Sequence, residues 1–243
     1  ESGLFGDVYN PVQGTVAAQV PLATADEVER AVASAQEAFP VWSALNPQRR
    51  GRLLLTWADK INENADELAE LLSNEHGKTL DDARGDIQRG VEVVEFAAGA
   101  PHLLKGEFSA NAGTGIDVHS VRQPLGVVAG ITPFNFPLNL VAHKVAPAIA
   151  AGCPFVLKPA PKTPVGALII GEILAETDLT RGAFSILPCS NDDAAALTGD
   201  ERIALLSFTG GMIGWDLKAR AGRKKVTLEL GGNAACIDRK STR

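Results

Sequence analysis

Four short stretches carry residue types that could do chemistry. Glu229 stands in "LELGG", after the β-rich "KKVTL" and before two glycines. A carboxylate desolvated at such a strand end could take a proton from water or from a thiol; a solvated surface glutamate is the plain alternative. Asn135 stands in "ITPFNFP", where prolines and aromatics fix the backbone around one amide. Its side-chain N–H could stabilise a developing oxyanion, and the same residues also suit a structural turn. Lys158 leaves "FVLKPAPKTP" between apolar residues, where its ammonium could bond ribose hydroxyls or a phosphate, or simply be solvated. In "SFTGG", Phe208, Thr209, Gly210 and Gly211 join an apolar run to a helical one, and glycines at a helix start let backbone amides approach a pyrophosphate. The GxGxxG pattern is absent.

All four stretches close apolar runs of one repeating type. From Val127 onward "VVAGITP", "PFVLKP", "FSILPC", "ALLSFTG" and "VTLELGG" alternate with the helical "LNLVAHKVAPAIAAG", "VGALIIGEILAETD", "DDAAALTG" and "MIGWDLKARAG". Strand and helix in alternation with short loops predict an α/β fold with a doubly wound, Rossmann-like parallel sheet covered on both faces. Its ligands belong at the carboxyl ends of the strands.

Ahead of the sheet the chain reads as helical, after a strand-like pair at "FGDVYNP" and "TVAAQVP". "TADEVERAVASAQEAF" opens with a capping box, Thr24 with Glu27, and carries Val28, Ala31, Val32, Ala35 and Phe39 on one face. Asn46 and Pro47 open the first of two further helices, the second ending near Gly77, and another helix is predicted from about Leu80 to Phe96. "FSANAGTGIDVHSVRQ" predicts a hairpin, whose uncovered edges suit pairing with another subunit. The predicted division is 1–106 helical, 107–124 hairpin, 125–238 Rossmann-like and 239–243 a separate tail.

Composition excludes several function classes. Apolar residues make up 45% of 243 positions, enough for a sizeable core. The net charge is −6 with basic residues scattered, so no nucleic-acid partner is expected. The N-terminus has no basic region followed by an apolar stretch, and His143 and Lys144 interrupt the longest apolar run, so neither an export signal nor a membrane span is expected. Cys153, Cys189 and Cys236 are far apart and odd in number, with no metal-ligand spacing. They read as small buried hydrophobes, with "NAACI" as a buried strand, in a reducing cytoplasm and without a metal.

In order and spacing, "PFNFPLN", "FVLKPAPKTP", "SFTGG" and "LELGGN" resemble the motifs of the aldehyde dehydrogenase superfamily, over nearly the whole chain to about Asp238. The resemblance implies oxidation of a small aldehyde to a carboxylic acid with NAD or NADP. Asn135 then matches the oxyanion asparagine and Glu229 the general base. Ile131, Thr132, Pro133 and Phe134 match the wall near the nicotinamide ribose, and Lys158 the ribose-binding lysine. Phe208, Gly210 and Gly211 match the turn under the pyrophosphate, and Leu230 and Gly231 lie beside the nicotinamide. The hairpin resembles the family's oligomerisation element, implying a homo-oligomer at full length.

The family's nucleophilic cysteine lies well beyond the glutamate in a separate catalytic domain, whereas this sequence ends at Arg243 with the unmatched "RKSTR". The reading expects a truncated chain, inactive alone, whose three cysteines do not replace that nucleophile. Two departures bear on the cofactor. "FTGGMIG" is one residue shorter than the family's turn, which rotates the first helical turn by about 100°. At Pro161 many NAD-preferring members carry a glutamate; here the position is uncharged and Lys162 follows, so NADP is as acceptable as NAD. The part up to Phe136 is most similar to methylmalonate-semialdehyde dehydrogenase, a CoA-acylating branch, whereas the part from Leu138 with Glu229 resembles hydrolytic members. A CoA-acylating fragment and a non-catalytic nucleotide-binding module are the alternatives.

Overall fold

The computed structural model of the chain describes residues 3–237, so the tail at 239–243 lies outside the described residues. An antiparallel pair, β1 (Phe5–Asn10) and β2 (Thr15–Pro21), comes first. Helix α1 (Ala25–Ala44) follows, capped as predicted: Thr24 Oγ1 accepts from the Glu27 amide at 3.3 Å and Glu27 Oε2 from the Thr24 amide at 2.9 Å. Next come α2 (Pro47–Glu63), α3 (Ala65–His76) and α4 (Leu80–Ala98). Gly77 closes α3 at φ 83°, a left-handed backbone that glycine adopts without strain. One turn not foreseen, α5 (Ala100–Leu103), follows α4, because Pro101 cannot continue a helix but suits the first turn of a new one.

The predicted hairpin is present as β3 (Phe108–Gly113) and β4 (Ile116–His119). The sheet consists of five strands: β5 (Val127–Ile131), β6 (Phe155–Lys158), β7 (Phe184–Ile186), β8 (Ile203–Thr209) and β9 (Lys225–Glu229). They are parallel, in the order β7-β6-β5-β8-β9. Helices α6 (Asn139–Ala151), α7 (Val165–Ala175), α8 (Ala195–Gly199) and α9 (Ile213–Arg220) connect them.

Two apolar clusters cover the sheet's faces, as doubly wound folds require. On one, α2, α3, α4, α6 and α7 pack around Val128, Phe155 and Leu157. Trp42 and Trp57, both fully buried there, donate their indole N–H to the carbonyls of Ile149 (3.2 Å) and Ile170 (3.0 Å), tying α1 and α2 to α6 and α7. On the other, α1, α8 and α9 pack on Val127, Ala129, Val156, Leu206 and Phe208. No helix among the described residues is long and apolar enough to cross a membrane.

One expectation is corrected. Cys153 and Cys189 are buried, but Cys236 is exposed and residues 231–237 form no strand. Among the described residues β9 pairs only with β8 and residues 231–237 are all exposed, so an apolar run alone does not become a buried strand.

Candidate active site at the carboxyl edge of the sheet

Strand register decides which predicted residues meet. Ile131 ends β5 opposite Lys158 on β6 and Phe208 on β8, while Thr209 lies opposite Glu229 on β9. The chain runs outward from β5 through β6 and β7, then returns to the other side of β5 at β8. That reversal opens a crevice beyond the strand ends. Residues 131, 158, 208, 209 and 229, from four separate stretches, thus share one edge.

Side-chain alternation then sorts them onto two faces. Val156, Leu206 and Phe208 belong to the cluster under α1, α8 and α9, with Leu228 and Leu230 against it, so Lys158 lies on that face beside Cys189. Ser207, Thr209 and Glu229 alternate onto the α6 face.

On the first face Lys158 is 3% exposed, yet its ammonium donates to no acceptor among the described residues. Burial pushes its pKa down against the opposing pull of Cys189, whose own thiol is pushed up by burial. Gly210 and Gly214 let the β8–α9 turn lie on the core: a Cβ would stand 2.7 Å from the Phe208 ring at Gly210 and 2.6 Å from Leu230 at Gly214. The Gly210 amide donates to the Glu229 carbonyl at 3.0 Å. It is therefore committed, and the orphan donors of the α9 start are those of Gly211, Met212 and Ile213. Gly211 and Gly231 both face open space.

On the α6 face stands Lys144, which is visible in the sequence only as an interruption of an apolar run. Its Nζ donates to Ser207 Oγ at 3.0 Å, and Gly130 beside it makes room for the Phe155 ring, with which a Cβ there would collide. Burial lowers the Lys144 pKa to about 8, with the charge of Glu229 holding it up. Glu229 is exposed and accepts from Thr209 Oγ1 at 3.2 Å. A lysine whose pKa is lowered to about 8 and a carboxylate thus share the α6 face.

Asn135 sits in the exposed loop between β5 and α6. Buried Thr132 anchors the loop's start, its amide donating to the Lys158 carbonyl at 3.3 Å, and half-buried Pro133 follows. The Asn135 carbonyl accepts from Lys78 Nζ at 3.2 Å, while no hydrogen bond engages its side-chain amide among the described residues. Phe134 and Pro161 line a cavity of about 440 Å³ together with Tyr9, Glu75, His76 and Lys162, a set that does not include Lys158. Lys162 Nζ lies 5.1 Å over the Phe134 ring.

Glu75 supports this edge from beneath. It is buried, and its carboxylate accepts from the amides of Val165 (2.8 Å) and Gly166 (3.0 Å), capping α7 where Pro164 supplies no side-chain cap. Burial is the main force raising its pKa to about 7, against those two amides. Sequence reasoning also passed over Lys78 and Asp86. Asp86 lies on the stripe of Ala83, Ile87 and Gly90 that α4 buries, and a carboxylate at an apolar position was the signal available.

Comparison with known proteins agrees with this geometry. The aldehyde dehydrogenase family model matches residues 2–240. The acylating mitochondrial methylmalonate-semialdehyde dehydrogenase of Arabidopsis thaliana is 41% identical, over 92% of this chain and 37% of its own length. The structure of aldehyde dehydrogenase 21 from Physcomitrella patens, solved with its reaction product succinate, superposes with TM-score 0.91 at 47% identity, covering 95% of this chain and 49% of that one. A protein of Sinorhizobium meliloti 1021 assigned as a methylmalonate-semialdehyde dehydrogenase and solved with NAD gives TM-score 0.90 at 43% identity, covering 93% and 47%. The chain spans less than half the length of each.

Proposed function

Because the chain belongs to the aldehyde dehydrogenase family, we propose that it holds the nicotinamide cofactor and supplies the oxyanion donor and general base of an enzyme oxidising a small aldehyde to an acid. The observation that carries the cofactor assignment is Lys158, whose stem is buried at a strand end while no acceptor among the described residues engages its ammonium. The stem is packed away while Nζ keeps contact with solvent at the crevice, so the ammonium stands ready to bond a ligand there. The chemistry fits a dinucleotide: Lys158 would hold ribose hydroxyls, and the free amides of Gly211, Met212 and Ile213 would face the pyrophosphate. Ile131, Thr132, Pro133, Leu230 and Gly231 would flank the nicotinamide end. When bound, the cofactor supplies the hydride acceptor.

Asn135 would donate its side-chain N–H to the aldehyde oxygen as negative charge develops there. Glu229, exposed and hydrogen-bonded to Thr209, would take a proton from the attacking water in the hydrolytic step. Lys144, on the same face with its pKa near 8, would accept or return that proton. Cys153 and Cys189 are packed inside the two clusters, so neither would serve as the thiol nucleophile of a thiohemiacetal route. Similarity to the acylating Arabidopsis enzyme favours a second reading, in which CoA rather than water receives the acyl group.

Uncharged Pro161 beside Lys162 leaves both NAD and NADP admissible. The exposed hairpin, with Phe108, Ile116 and Val118 each more than half exposed, suits pairing in a homo-oligomer. Titration calorimetry with NAD and NADP tests the central proposal. The chain should bind at least one of them, and Lys158→Met should weaken binding by about tenfold or more. Unchanged affinity in that variant would refute the assignment.

A further inference from the structure

The Asn135 loop is held at its middle and its far end by one buried ion pair from a different element. Lys78 Nζ donates to Asp86 Oδ2 at 3.1 Å, with side chains 7% and 0% exposed. The same Nζ donates to the Asn135 carbonyl at 3.2 Å and stands 4.7 Å over the Phe136 ring. The second oxygen of Asp86 accepts from the Asn139 amide, the first residue of α6, at 2.9 Å. Lys78 and Asp86 thus grip both ends of the segment 135–139, while the Thr132 amide is fixed to β6. The Asn135 backbone is tied down on both sides while its side-chain amide engages no hydrogen bond among the described residues.

We propose that Lys78 and Asp86 are positioning residues that aim the Asn135 amide. The proposal rests on the reading of Asn135 as the oxyanion donor. Two features separate it from a merely structural salt bridge. The ammonium contacts the carbonyl of the reacting residue itself, and the carboxylate divides its two oxygens between that ammonium and the helix that follows. A pair serving stability alone needs neither. Oxyanion donors act through fixed geometry, so a loop displaced by a fraction of an ångström loses rate without losing substrate.

The test is aldehyde oxidation by the natural gene product with saturating cofactor, comparing Asn135→Ala, Lys78→Met, Asp86→Asn and each brace variant combined with Asn135→Ala. Lys78→Met should lower kcat by about tenfold or more with the cofactor KM unchanged, and should cost nothing further once Asn135 is alanine. Lys78→Arg, which keeps a cation against Asp86, should recover part of the loss. If Lys78→Met fails to fold, the isosteric Asp86→Asn carries the same comparison, with faster amide exchange across 135–139 as its structural readout. Wild-type kcat in the brace variants, or an equal loss in both backgrounds, overturns the proposal while leaving Asn135 in place. Wild-type kcat in Asn135→Ala alone overturns the oxyanion reading, and the positioning role with it.

Discussion

Replacing Glu75 with glutamine should remove a pH dependence from the stability of the chain. The carboxyl is buried beneath the β6–α7 loop, and burial raises its pKa from 4.5 to about 7 despite two amide donors, with the charge of Asp86 adding to the rise. Between those values the folded protein keeps a proton that the unfolded chain has released, so stability falls as pH rises through the window and this group adds no slope outside it. The gap is about two and a half decades, and at about 1.4 kcal/mol per decade the wild type should lose roughly 3 kcal/mol from this group between pH 4.5 and 7.5. Urea denaturation across that range measures it, taking at each pH the difference between wild type and Glu75→Gln so that all other titrations cancel. The difference should move in favour of the variant by roughly 3 kcal/mol as pH rises. Parallel profiles would show that Glu75 ionises as an ordinary carboxylate and would refute the argument from burial.

Two further outcomes follow from side chains that the fold encloses or leaves out. Arg50 is 3% exposed and donates to the carbonyls of Ala150 (2.9 Å), Ser43 (3.5 Å) and Leu45, closing the ends of α6 and α1. Arg50→Met strands those acceptors and should lower the unfolding free energy by about 2–4 kcal/mol in urea, with Arg50→Lys losing less. Of the three cysteines, only exposed Cys236 should react readily with iodoacetamide in the native state, as mass spectrometry of timed samples would show; equal labelling of Cys153 or Cys189 would contradict their burial.

How much of this was legible in the sequence depended on whether the physics was local. Thr24 and Glu27 announced α1 because a capping box is settled within four residues, and Asn46, Pro47 and Gly77 marked the next helices by the same local geometry. The run "TADEVERAVASAQEAF" closes at Phe39, just ahead of Pro40. Yet α1 continues to Ala44 because Trp42 is fully buried with its indole bonded to Ile149, a tertiary contact more than a hundred residues away. Cys236 misled in the other direction: "NAACI" has the composition of a buried strand but no neighbour among the described residues to bury it.

The candidate site divides along the same line. Lys158, Phe208, Thr209 and Glu229 could be found because each lies at or next to a strand end, and parallel register carries strand ends to one edge without further information. Lys78, Asp86, Glu75 and Lys144 could not, because each works on a partner 50 or more residues away through a side chain whose helix, or for Lys78 whose α3–α4 link, reads as ordinary, apart from the short Lys78–Asp86 link itself. Asp86, Glu75 and Lys144 share a charge placed where the surrounding helical pattern is apolar. Such a placement is costly unless a partner waits for it, so a charge on a buried helical stripe forecasts a long-range tie even when its destination is hidden. In this chain those ties converge on the Asn135 loop, the α7 start and the β8–β9 edge. The strands bring the reactive groups to one edge, and the buried charges of the helices fix how they are aimed.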